Sequence, residues 1–182
     1  MRPDEPMTTA VSFENIHEHV VALDQSPHGS WFVDPSKHNI HPAHVKLIQP
    51  LDKPAAKFLW DYISASNLHA QVPFKNGFFR TVVKTKVLLN NTQEIKKWLY
   101  RLGIPFDKMV YLSWQPHDGM VVPWKMVVKY SEVLASGGGD LTIIDASLNW
   151  AVLFYHEGDI FLGTNEDYNA DEHVKHEEFD SF

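Results

Sequence analysis

Two capped amphipathic segments enclose one alternating run, and the apolar runs that follow are too short for helices. That pattern confines the chain to mixed helix and sheet. The first helix is expected from Asp52, which suits an N-cap, with Pro54 in the first turn, where its missing N–H costs nothing. Ala55, Phe58, Leu59, Tyr62 and Ile63 then make one apolar stripe, and Ser66-Asn67 ends it. The second starts at Asn91 or Thr92, carries Glu94 in a capping-box position and stops at Leu102 before Gly103 and Pro105. Its Ile95, Trp98, Leu99 and Leu102 face inward.

Between the two helices, residues 78–89 alternate as a strand. Further strands are expected at 109–115, 141–145, 150–156 and 159–162, the last two joined by a Glu157-Gly158 hairpin turn. Residues 124–135 read as a helix and Gly137-Gly138-Gly139 as a loop. Near the start, Phe13, Ile16, Val20 and Leu23 repeat at helical spacing over 12–24, and Trp31-Phe32-Val33 reads as a short strand broken by Asp34-Pro35. The expected class is α+β: a mainly antiparallel sheet with helices packed on one face, in a single domain. Residues 1–29 form a leader with a short amphipathic helix, 30–164 the domain, and 165–182 an acidic, mobile tail.

Charge is unevenly spread along this frame. Residues 1–45 carry 2 basic and 6 acidic side chains, residues 46–129 carry 13 and 5, and residues 130–182 carry 1 and 12. A basic middle beside an acidic end implies either a polyanion site or internal neutralisation. The chain has no cysteine, which excludes disulfides and thiol nucleophiles and fits a reducing cytoplasm. It lacks a secretory signal pattern, and its apolar runs are too short to span a bilayer, so the expected setting is cytoplasmic with no membrane partner.

Four residue groups invite a chemical reading. His38, His41 and His44 recur every third position; Pro42 disfavours the continuous helix a chelating pair would need, a turn could still gather two of the three, and solvated loop histidines are the expectation, with no metal assigned. No cofactor is expected. Trp114, Gln115, His117 and Asp118 leave a strand through a polar turn toward Trp124 and Lys125, an arrangement suited to lining a binding loop. His156 and Glu157, with Asp159, sit at a strand end as an acid/base group would, or as an ordinary hairpin tip. Arg80, Lys84 and Lys86 share one strand face, which could hold phosphates, although the net acidity weighs against nucleic acid. The triple glycine precedes a strand rather than opening a helix, so it is not a phosphate loop.

The segments Tyr111-Leu112-Ser113-Trp114-Gln115-Pro116, Pro123-Trp124-Lys125 and Asn149-Trp150-Ala151-Val152-Leu153-Phe154-Tyr155-His156-Glu157 resemble small bacterial domains of unknown function. In style they are also similar to immunity proteins of toxin–immunity pairs. The resemblance implies a bacterial, non-enzymatic protein and carries over no catalytic residue.

The leading expectation is therefore a protein-binding module, of the inhibitor or immunity kind, that presents Asp140, Asp145 and Asp159 to a basic partner. The alternative is a small-molecule binder or hydrolase built on the Trp114–His117 loop and His156. Nucleic-acid binding through the basic strand is a second alternative, and oligomeric state is not legible.

Overall fold

The structure, a computed structural model, describes residues 9–34, 36, 39–87 and 92–167. Its centre is a seven-stranded sheet in the order β1-β4-β3-β5-β6-β7-β2, with every neighbouring pair antiparallel. The strands are β1 (Gln49–Pro50), β2 (Thr81–Lys86), β3 (Met109–Gln115), β4 (Asp118–Pro123), β5 (Leu141–Ile144), β6 (Trp150–Phe154) and β7 (Asp159–Thr164). The helices are α1 (Pro27–Val33), α2 (Pro42–Val45), α3 (Lys53–Ala65), α4 (Thr92–Tyr100), α5 (Trp124–Lys129) and α6 (Ser131–Ser136). The α+β class and its antiparallel sheet are as the sequence predicts.

The helices cover both faces of the sheet rather than one. Successive residues of a strand point to opposite sides. Val110 and Leu112 of β3 join a core with Ile95 and Leu99 of α4, Val127 of α5 and Leu134 of α6. Tyr111 and Val121 pack instead with Ala55 and Leu59 of α3. On that second face α3 lies close, because a Cβ on Gly119 would stand 3.4 Å from the Ala56 Cα. The segment after α3 continues the cover, with Leu68, Phe74 and Phe79 packed against Ile144, Ala151 and Leu153.

Several local expectations need correction. Residues 12–24 form two short 3-10 turns, Ile16–His19 and Leu23–Gln25, rather than one helix. The Asn15 side chain captures the Ser12 N–H at 2.8 Å, and Val20 bridges to Leu51 while the Val21 N–H donates to Pro50 O. Local side-chain capture and tertiary pairing outweigh a helical apolar spacing here. Trp31-Phe32-Val33 is the end of helix α1, so the boundary expected at residues 29–30 falls inside an element. Its cap is Ser26, whose Oγ accepts the Gly29 N–H at 3.1 Å ahead of Pro27.

Strand β4, fully buried, replaces an expected loop. The expected 124–135 helix is two helices, parted at Tyr130, where φ is −107° and ψ is 25°. Of the 78–89 strand, residues 81–86 pair, and 88–89 lie outside the described residues. Among the described residues, no helix is long and apolar enough to cross a membrane.

Candidate functional site

The binding loop expected at residues 114–125 does not gather. Met109 pairs with Pro123 and Gln115 with Asp118, so Trp124 and Trp114 belong to opposite ends of the β3–β4 hairpin. Trp124 is wholly buried, edge-on to Trp150 at 5.9 Å. Trp114 lies flat on the His28 ring, with centroids 4.1 Å apart and planes 8° apart. Asp118, also buried, accepts from Ser26 Oγ at 3.2 Å and pairs with His28 Nδ1, while His28 Nε2 faces Gly137 O at 3.3 Å. These bonds tie α1, β4 and the end of α6 together, which leaves His28 no free ring nitrogen. Gln115 and His117 are exposed at the turn, and Lys125 holds Phe106 O through its backbone N–H.

The nominated acids separate in the same way. Asp145 is buried, and its carboxylate accepts from Lys108 Nζ (2.8 Å), Trp150 Nε1 (3.1 Å), and Ser147 N and Oγ (2.9 and 2.6 Å). Burial pushes its pKa up, but those bonds and the Lys108 charge outweigh burial and hold it below the ordinary value. It is therefore an internal brace and not part of a partner surface.

Asp140 and Asp159, by contrast, meet at one end of the sheet. Asp140 Oδ1 holds both the N–H (2.9 Å) and Nδ1 (2.8 Å) of His156. Asp159, Glu157 and His156 line a cleft of about 310 Å³ against Gly138 and Gly139, and Asp159 Oδ1 is a buried oxygen with no hydrogen-bond partner.

The basic strand is β2, an edge of the sheet, with Lys84 and Lys86 on its exposed parity. Lys84 Nζ stands 6.0 Å from the Phe161 ring centre, and Arg80 pairs with Asp167 at 3.4 Å. Alternating exposed lysines on an edge strand also blunt strand addition. In the histidine-rich segment, His41 Nδ1 accepts the Ala43 N–H and His44 Nδ1 bonds the Tyr130 hydroxyl at 2.7 Å. His38 lies outside the described residues, and among those described no three His, Asp or Glu side chains gather as metal ligands.

A site the sequence did not single out lies on the opposite sheet face, under the end of α3. Ser113 of β3 and Thr142 of β5 are cross-strand partners and form its floor. Trp60, Ile63 and Ser64, at i, i+3 and i+4 of α3, form one wall. The helix ends at Ser66 and turns through Asn67 at φ 59°, a left-handed position that asparagine tolerates. That turn sends His69 back over the sheet, where Asn67, His69 and Ala70, all exposed, bound an open cavity of about 280 Å³.

His69 is fixed at both ring nitrogens. Its Nδ1 is 2.8 Å from Pro73 O, which can only accept, so Nδ1 carries the proton. Its Nε2, 2.8 Å from Thr142 Oγ1, then accepts the threonine hydroxyl proton. The ring packs on Phe74 at 5.7 Å. Desolvation lowers its pKa, against opposing pulls from Pro73 O and the Asp140 charge, which favours the neutral ring.

Beside this pair, Ser113 is 3% exposed and its Oγ has no hydrogen-bond partner. Leaving such a group unmet costs about 1–3 kcal/mol, so it marks a position where a missing partner would be rewarded. No sequence signal links Ser113, Thr142 and His69, because they meet only through the β3–β5 pairing and the turn after α3. The chain matches no protein-family model, no curated protein and no solved structure.

Proposed function

We propose that the protein binds a small molecule in the cavity between α3 and the β3–β5 floor. The observation that carries this reading is the buried, unpartnered Ser113 Oγ, on a residue that lines a cavity of about 280 Å³ together with the Thr142–His69 pair. A concave space with a few converging polar groups and a histidine of perturbed pKa is the usual mark of a ligand site. The test is a small-molecule library of mixed charge, read by NMR at the Trp60 indole and the His69 ring. Saturable shifts confined to those signals and the β3–β5 floor support the reading. Silence there across the library removes it.

A second reading, a protein-binding module, is favoured by Glu157 and Asp159 at the β6–β7 turn, beside His156, which Asp140 holds from just before β5. The unpartnered Asp159 Oδ1 in that cleft suits an inserted lysine or arginine from a basic partner. Neutralising Asp140 and Asp159 should then abolish capture of that partner while leaving the cavity signals intact. Asp145 takes no part in this surface.

A further inference from the structure

The chemistry of the cavity narrows what can enter it, and the inference that follows rests on the small-molecule reading above. None of its lining residues is aspartate, glutamate, lysine or arginine. The walls formed by Trp60, Ser64, Asn67, His69 and Ala70 are exposed, so what tells against a formally charged ligand is that these side chains give it no counter-charge. An anion would also meet the field of Asp140, whose charge is felt at His69.

What the lining does offer is neutral and two-sided. Ser113 and Ser64 carry hydroxyls that both donate and accept, and Asn67 brings one donor and one acceptor group. Thr142 Oγ1 gives its proton to His69 and keeps lone pairs for a second donor. A ligand rich in hydroxyls satisfies such a set in either sense, whereas a ligand with only acceptors or only donors leaves part of it unmet. At the rim, Trp60 is 38% exposed, a flat apolar surface on one side of a polar floor. That pairing suits a molecule with one apolar face of C–H groups and a polar edge.

We propose that the cavity takes an uncharged, hydroxyl-rich ligand of about monosaccharide size, seated with its C–H face on Trp60 and its hydroxyl edge on Ser113 and Thr142. Ser113 Oγ then gains the partner it lacks, and His69 fixes the direction of the Thr142 hydroxyl without touching charge.

The experiment titrates neutral hexoses and hexitols, with D-glucuronate, D-glucosamine and adenosine as counterparts, while following the Trp60 and His69 signals by NMR. At least one neutral polyol should saturate, with glucuronate and glucosamine weaker by about tenfold or more, the worth of one lost hydrogen bond or more. Ser113→Ala should weaken the polyol by a similar factor, and because it deletes an unmet hydroxyl it should still fold. Thr142→Val, close in shape, gives an independent second loss. Equal or tighter binding of a charged counterpart or of adenosine overturns the polyol assignment and leaves the small-molecule reading standing. If only other library members shift Trp60 and His69, the assignment also fails alone. If no small molecule moves those signals, both fall.

Discussion

Asp145→Ala isolates the brace that the sequence reads as a surface acid. The substitution strips the acceptor from Trp150 Nε1, on a residue that is 3% exposed, at an orphaning cost of about 1–3 kcal/mol. It also ends the Lys108 pair, but the Lys108 side chain is 37% exposed and can turn to water, so that loss is about 0.2–1 kcal/mol. The two Ser147 bonds lie in a part-buried turn where solvent replaces much of their worth. Together these give about 1–4 kcal/mol, or a fall in Tm of about 2–16 °C for a domain of this size.

Asp145→Asn can keep an acceptor for only one side of the site and should fall between wild type and alanine. Circular dichroism melts and urea titrations measure both variants. The sign with pH is fixed by the depressed folded pKa. The stabilisation is full above the ordinary value of 3.8 and is lost as pH falls through the lower folded value, so the two curves should converge in acid. An alanine variant within about 0.5 kcal/mol of wild type at neutral pH would refute the reasoning.

Other outcomes follow from the same packing. In Gly163→Ala the new Cβ would stand 2.0 Å from Phe79 Cδ2, a ring itself held by Phe74 and Phe78, so urea midpoints should report a loss of about 1–3 kcal/mol. No change would show that Phe79 has room to swing. Trp150→Asp places a carboxylate at a buried position beside Asp145 and should cost more than about 4 kcal/mol, leaving no cooperative melt. A folded, soluble variant would mean that β6 is misplaced. The folded pKa of His69 lies below the ordinary 6.5, so its stabilisation is full above that value and is lost as pH falls through the folded pKa. An NMR titration of the ring that shows a value at or above 6.5 would contradict the desolvation that lowers it.

Elements whose ends are marked by local chemistry were legible in the sequence. Asp52 accepts the Ala55 N–H at 2.9 Å, as an N-cap should, and Gly103 takes φ 72° after α4. Ser26-Pro27 carried the same cap-and-proline signal ahead of α1, but the three apolar residues at its end imitated a strand. Strand β4 was missed because the segment after Trp114 reads as a polar turn leading to Trp124 and Lys125, and its two prolines, Pro116 and Pro123, do not break it. One lies in the turn and the other is the last strand residue, positions a sheet tolerates. The cavity was beyond reach for a different reason. Ser113, Thr142 and His69 share no spacing, and the β3–β5 adjacency joins strands that are not consecutive in the chain.

The most direct measurement is made on Ser113→Ala, comparing its urea stability with its response to the best-binding small molecule. The account predicts stability equal to or above wild type, because an unmet buried hydroxyl is removed, together with a loss of binding of about tenfold. A variant that is destabilised by more than about 1 kcal/mol yet binds as before would show that the Ser113 hydroxyl serves the fold and not a ligand.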